Sequence, residues 1–447
     1  MSKAAAPSQL SPVRDFPDRV PAMLVKELRQ GLRARLFAEA IAGFHLLIIV
    51  LMLPVVSFAS GTESSGIQRL VWWIFAAVLV LLLPLRGLSS LISERRDHTL
   101  ETLLLTNLKA GRIVRGKWLA ISAQVLLTGL SVLPYILVLY AGGGLSLPAS
   151  MLTLLRLIMA GLLLTAAFVS LSWNPSWMQR AVPGLILGFF VMNEYAWPVV
   201  ALLYDSNAAA ALNAPWRGPA EMIAAAALIC ILLSGAAQRL APGVENHQNL
   251  PRLIALFLPW LAWCFPDPIL MQSALIALIL VSLTALTEDW PLVLPPGTGW
   301  QRQPGMAAGW PHGVIWAVTA WGTAMVPFHW GADAGLFSPA LRCAAWLFCG
   351  RLLLWCGRKK WSRSPWWLAG TALLFALLQS ALVLGGQLLH LDLLTKLSTA
   401  IPVPLTLFQP GGISPALPWI AALAGGGCLL TALITLARQG PSPEEPA

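Results

Sequence analysis

Few side chains in this sequence can do chemistry, and their spacing says which chemistry to consider. The run Gly111-Arg-Ile-Val-Arg-Gly-Lys117 has the Gly-x4-Gly-Lys opening of a phosphate-binding loop. A working loop of that kind continues with Ser or Thr for magnesium and lies between a strand and a helix. Here Trp118 follows and an apolar run comes next, so no nucleotide site is expected in this chain. Cys343, Cys349 and Cys356 share one apolar run, while Cys230, Cys264 and Cys428 are scattered. Without Cys-x2-Cys or Cys/His ligand spacing they read as small apolar fillers, and neither a metal nor a redox site is expected. No serine–histidine–carboxylate set can be assembled, so no catalytic residue is expected, and His45 reads as a packing histidine. The remaining candidates are ionisable residues inside apolar runs, which are costly in a bilayer unless paired or snorkelled. They are Arg156, Glu194 beside Asn193, and Arg351. At about 1.5 Å rise per residue, Arg156 and Glu194 lie at similar depth, roughly 10–15 Å from one face. They are expected to pair across neighbouring helices, as a structural ion pair or as a polar lining of a transport path. Arg351 is expected to snorkel to the nearer interface.

These residues need a scaffold, and the composition specifies it. The chain has 447 residues, 57% hydrophobic and 11% charged, with a mean hydropathy of +0.72. A soluble domain carries roughly 25% charged residues, so a soluble enzyme with a single anchor is excluded. Twenty-one Trp against four Tyr suits many membrane–water interfaces. A spanning helix needs about 20 mostly apolar residues. Such runs fall at 38–60, 69–85, 118–142, 149–172, 181–204 and 219–237, then at 252–265, 268–286, 312–330, 339–357, 365–389 and 416–437. The expected fold is an all-α, polytopic transmembrane bundle of about twelve spans, with ten as the lower bound.

The net charge of +10 is explained by orientation. With the N-terminus inside, about 23 of the Lys and Arg residues fall on the cytoplasmic side, which obeys the positive-inside rule. Outside loops hold Arg69, Arg217 and Lys396. Both termini are expected in the cytoplasm, and nucleic acid is not an expected partner. Residues 1–37 precede the first span as a polar tail and basic helix, unlike a cleaved signal with its short apolar core. The cytoplasmic pieces 1–37, 86–117 and 287–311 are each too small for a domain with its own core. Residues 439–447 read as a disordered tail. Energy for any transport must come from an ion gradient or from a partner.

Two cytoplasmic stretches carry a pattern. Along Pro21–Phe37, which contains Lys26-Glu-Leu-Arg-Gln-Gly-Leu-Arg33, Leu24, Leu28, Leu32 and Leu36 recur every four residues, with Lys26, Arg29 and Arg33 mostly elsewhere on the wheel. That is an amphipathic helix at the inner leaflet. The second stretch is Ile92-Ser-Glu-Arg-Arg96, then Thr99-Leu-Glu-Thr-Leu-Leu-Leu-Thr-Asn-Leu108, then Ile113-Val-Arg-Gly-Lys117. Leu100, Leu103 and Leu104 share one side of a short helix with charges at its rim, a form that suits docking into a groove. Arg112, Arg115 and Lys117 are expected to snorkel at the mouth of the third span.

This second stretch resembles the cytoplasmic loop of ABC-2 type transporter permeases. That loop has a Glu-rich stretch, Gly-Thr-Leu-Glu-x-Leu-Leu, Thr-Pro-Leu and a closing Ile-Val-x-Gly-Lys. His98 stands here where the family has Gly, and Asn107 where it has Pro. The basic helix is similar to the family's elbow helix, so Lys26, Glu27, Arg29 and Arg33 are its elbow residues. The resemblance implies that 86–117 is a coupling loop, with Glu94, Arg95, Arg96, Thr99, Glu101, Leu103 and Leu104 contacting a cytoplasmic ABC ATPase. It also implies a homodimer or a pairing with a related permease, and ATP and magnesium held by the ATPase, leaving no cofactor in this chain.

The resemblance covers mainly 20–240, so residues 38–240 are expected to form a six-span unit. Residues 241–438 are expected to form a second membrane unit, either a degenerate repeat or an unrelated bundle. The expected function is export across a bacterial inner membrane, with membrane lipids as surroundings. An ion-coupled secondary transporter shares the span count, but the loop after span two offers Gly87 and Glu94-Arg95-Arg96 in the wrong order for the major-facilitator motif. A membrane scaffold for a surface-polymer or motility complex is the other alternative.

Overall fold

The computed structural model describes residues 22–33, 35–57, 62–92, 109–141, 147–173, 217–241, 247–265, 267–287, 309–330, 336–356 and 417–439. It also describes residues 306 and 307 and scattered positions within 180–191 and 370–379. All regular structure among them is helical. The order is α1 (Ala22–Arg33), α2 (Arg35–Ser57), α3 (Thr62–Ala76), α4 (Ala110–Ser131), α5 (Leu133–Ala141), α6 (Leu147–Leu171) and α7 (Arg217–Leu240). Then come α8 (Asn249–Cys264), α9 (Pro268–Thr287), α10 (Trp310–Trp330), α11 (Phe337–Cys356) and α12 (Leu417–Gln439). Six stretches among the described residues are long and apolar enough to cross a membrane: Ile67–Ile92, Ala110–Ala141, Leu147–Leu171, Gly218–Leu240, Ile269–Thr287 and Leu417–Leu436.

Two of these are irregular for identifiable reasons. After α3 the chain continues through a π-helical stretch, Ala77–Leu82, a helical turn, Leu83–Leu85, and a 3-10 turn, Arg86–Ser89. Pro84 cannot donate to the carbonyl of Val80, and its ring crowds that carbonyl, so the ladder widens just before it. Pro134 has the same effect four residues after Leu130. There α4 ends, Val132 N–H bonds to Gly129 C=O at 3.2 Å, and α5 follows from Leu133.

Side-chain contacts join particular ends of the spans. Leu91 N–H donates to Ser172 Oγ, joining the end of the second span to the end of α6. A Cβ on Gly111, at the start of α4, would lie 4.0 Å from Ala237 near the end of α7. Arg252, at the start of α8, donates to the Ala307 carbonyl at 3.0 Å, just before α10. Arg351, near the end of α11, lies over the Trp310 ring at 4.8 Å. These ends therefore share one side of the bundle.

The helices fall into two sets with the same neighbour relations. In the first, α2 packs on α3 and on α5, and the second span packs on α4 and α6. The third packs on α6, and α7 packs on α6 and α4. In the second, α8 packs on α9 and α10, α9 on α10 and α11, α10 on α11, and α12 on α11 and α10. The sets meet where α7 packs against α9 and α8. Close approach is set by glycine: a Cβ on Gly161 of α6 would sit 2.5 Å from the Leu79 carbonyl oxygen, and one on Gly313 of α10 only 1.9 Å from that of Ala285. A continuous buried apolar cluster runs through both sets, from Phe37 to Ala432.

Candidate functional site: the basic end and a buried ion pair

The leucine-faced stretch 93–108, with Glu94, Arg95, Arg96, Thr99, Glu101, Leu103 and Leu104, lies outside the described residues, as does Glu194. What the structure places is everything that holds the two ends of that stretch. The second span persists to Ile92 and α4 begins at Ala110. The connection is therefore shorter than the 86–117 read from the sequence. Polar residues Arg86–Ser90 and Arg112–Lys117 lower the hydropathy of the span ends without breaking the helix, which is why the apolar runs stopped early.

The exit from the second span is fixed by polar contacts. Arg86 stacks over the Phe37 ring at 5.4 Å, and its Nη1 donates to Gln124 Oε1 of α4. Ser90 Oγ donates to the Gly87 carbonyl at 2.8 Å, and Arg180 Nη1 donates to the Leu88 carbonyl at 3.3 Å. Gly87 itself meets α6 closely, since a Cβ there would lie 3.2 Å from the Val169 nitrogen. On the return side, Arg112 N–H bonds to the Lys109 carbonyl at 2.8 Å, and Arg115 Nε donates to the Gly111 carbonyl at 3.0 Å.

Helix α1 packs along α4. Its apolar face turns Leu24, Val25 and Leu28 partly inward, while Lys26 and Arg29 are exposed. Arg33 lies in the last turn of α1. Between the helices, Lys117 Nζ donates to Glu27 Oε1 at 3.1 Å, and the Lys117 side chain is only 4% exposed. Lys117 therefore does not snorkel. Helix α1 lies against it and supplies a carboxylate instead, because a buried ammonium is tolerated only with a partner. Arg112 and Arg115 do keep exposed side chains.

The second polar element lies deeper. Arg156 Nε of α6 donates to Glu221 Oε2 of α7 at 2.8 Å, with side chains 3% and 5% exposed. The expected partner of Arg156, Glu194, lies outside the described residues. Among the described residues Arg156 meets a carboxylate of α7, because α7 packs directly on α6. Glu221 is in the first turns of α7 and within the run read as 219–237, so a scan for charges inside that run would have found it.

One other expectation changes. Arg351 is 4% exposed and stacked on Trp310, so it is buried rather than snorkelled. Its guanidinium lies over an indole face of the neighbouring helix, and a cation over a desolvated ring is favourable. His45 lies with Nδ1 3.0 Å from the Tyr135 hydroxyl, and the two rings stack. Sequence reasoning missed Arg252, fully buried at the start of α8, whose own carbonyl accepts from Trp316 Nε1 at 3.2 Å. Among the described residues no group of three or more His, Cys, Asp or Glu converges as a metal site.

Chemically, the basic end is a rigid frame around two chain stems, and the Arg156–Glu221 pair ties two helices inside the bundle. Comparison of the chain with protein-family models, with curated proteins and with solved structures finds no match.

Proposed function

We infer that this chain is the membrane permease subunit of an ABC-2 type exporter in a bacterial inner membrane. It would couple ATP hydrolysis by separate cytoplasmic ATPase subunits to movement of a substrate across the bilayer. In this reading about twelve spans place both termini in the cytoplasm, and the end rich in Arg and Lys faces inward. No group in this chain hydrolyses ATP; ATP and magnesium belong to the ATPase.

The observation that supports the reading best is the mounting of the motif that carries the resemblance. Its stems leave from Ile92 and return at Ala110, and both stems are bonded to neighbouring helices. Helix α1 is clamped to the return stem through Glu27 and Lys117. A partner gripping Leu103 and Leu104, with Glu94, Arg95, Arg96, Thr99 and Glu101 at the rim, would pull on helices. A helix passes a displacement along its whole length more faithfully than a loop does, because its hydrogen-bonded turns have few soft torsions.

The test is affinity purification of the tagged chain from native membranes, followed by assay of co-purifying ATP hydrolysis. Leu103→Asp combined with Leu104→Asp removes the apolar docking face and should abolish the co-purified activity while leaving the chain's yield unchanged. Equal activity with the variant would refute docking at this loop.

A further inference from the structure

The two helix sets share more than their neighbour relations. In both, the last described helix begins with proline in its first turn and has arginine near its end: Pro219 and Arg239 in α7, Pro418 and Arg438 in α12. Each pair of equivalents is 199 residues apart. With this register, residues of α7 can be compared with their counterparts in α12.

Ala220, Ala224 and Ile231 of α7 are 4%, 0% and 5% exposed. Their counterparts Trp419, Leu423 and Leu430 are 72%, 75% and 60% exposed. Ala227, half-buried, corresponds to Gly426, which is exposed and around which a Cβ would meet nothing within 4 Å. The spacing i, i+4, i+7, i+11 is one stripe of a helix. The difference has a structural origin: α7 packs on α8 and α9 as well as on its own set, whereas α12 packs chiefly on α10 and α11. As a result 61% of the apolar stretch of α7 is buried against 22% of that of α12.

The other side of the interface shows the complementary difference. In α9, which receives α7, none of the described side chains is exposed. The second span of the first set, its counterpart, leaves Leu70, Trp73 and Leu81 at 47%, 42% and 46% exposure. The chain thus contains one contact of a set's last helix with α9 and carries one unused copy of each half of it. Exposed apolar side chains in a bilayer are ordinarily covered by lipid. What singles out these two stripes is that their counterparts already bind each other within the chain.

We propose that residues 38–240 and 241–438 are a tandem repeat, and that a second copy of this chain docks α12 onto the free face of the first set's second span. That contact would repeat the internal one between α7 and α9. The two surfaces differ, so the contact is heterologous, and two chains close it into a ring by making it twice. Parallel six-helix repeats of this kind are related by an axis along the membrane normal. Ala422 and Gly426 lie on the exposed stripe with small-xxx-small spacing, which lets two helices approach closely. The inference rests on packing alone and stands whether or not the chain is an exporter.

The test uses the full chain in lipid nanodiscs. A photo-crosslinking residue replaces Leu423, two differently tagged copies are co-expressed, and adducts between copies are mapped by mass spectrometry. The expected adduct joins α12 of one copy to residues 67–85 of the other. Native mass spectrometry of the unmodified chain should show a dimer or larger closed ring, and Gly426→Leu should convert it to monomer with unchanged thermal unfolding. A monomeric unmodified chain would overturn the proposal. So would an α12-to-α12 adduct, which marks an isologous contact, or adducts with lipid only. If Gly426→Leu fails to fold, the crosslink and the mass of the unmodified chain still decide.

Discussion

Arg156 and Glu221 meet at 2.8 Å between α6 and α7, each side chain almost wholly withdrawn from the surface. Charges at such depth are tolerated because each supplies the other's counter-ion, and removal of one leaves the other uncompensated. Glu221→Gln or Arg156→Met alone should therefore destabilise the chain by about 3–5 kcal/mol. Arg156→Met combined with Glu221→Leu should recover most of that loss, because two apolar side chains need no counter-ion. Thermal unfolding in detergent, followed by tryptophan fluorescence, checks the order of the variants. Transport by the double variant then separates a purely structural pair, which leaves transport intact, from one that lines the path.

Glu194 offers a contrast. It lies outside the described residues, and among those the carboxylate that meets Arg156 is Glu221. The same unfolding assay on Glu194→Gln, alone and combined with Glu221→Gln, gives a double-mutant cycle in which independent carboxylates add and carboxylates sharing one cation do not. A loss as large as that of Glu221→Gln would mean that Glu194 joins the same ionic network.

The contact between Glu27 and Lys117 is weaker, since Glu27 is 21% exposed and water screens it partly. Lys117→Met should cost roughly 1–3 kcal/mol. Glu27→Lys should cost more, because it sets two ammonium groups together in a partly buried site. The exchange Glu27→Lys with Lys117→Glu should restore part of the stability. A double-mutant cycle on unfolding temperature gives the coupling, which should be clearly non-zero.

Glycine substitutions test the close helix crossings. Gly313→Ala drives a methyl group into the Ala285 carbonyl, and Gly161→Ala drives one into that of Leu79. Backbone cannot swing aside as a side chain can, so each should cost about 1–3 kcal/mol or prevent folding. Gly235→Ala meets nothing within 4 Å and should be neutral or stabilising by up to about 1 kcal/mol. Expression level and unfolding temperature of the three variants provide the comparison.

The helices were legible because a bilayer demands long apolar runs, and the runs at 149–172, 219–237, 268–286 and 416–437 coincide with α6, α7, α9 and α12. The third helix was begun at 118 and starts at Ala110, since charge at a helix mouth looks like loop to a hydropathy count. Partners were harder to read. The depth of Arg156 can be estimated from helix rise, but its contact with Glu221 requires knowing which helix packs on α6. Lys117 and Arg351 were both assigned to the interface because the reach of a long side chain is visible in sequence. Helix α1 and the Trp310 ring, which meet them instead, come from residues about 90 and 40 positions away. The shared packing of the two sets was likewise hidden, because helix neighbours are kept by small residues and shape while sequence drifts.

The central claim is that a cytoplasmic ATPase grips the stretch between Ile92 and Ala110. The most direct measurement is to place a photo-crosslinking residue at Leu103 in living cells and identify its adduct by mass spectrometry. The account predicts an adduct with a soluble protein bearing a phosphate-binding loop followed by Ser or Thr, lost when Leu104→Asp is added. Efficient crosslinking only to lipid or to other integral membrane proteins, with the chain at normal abundance, would contradict it.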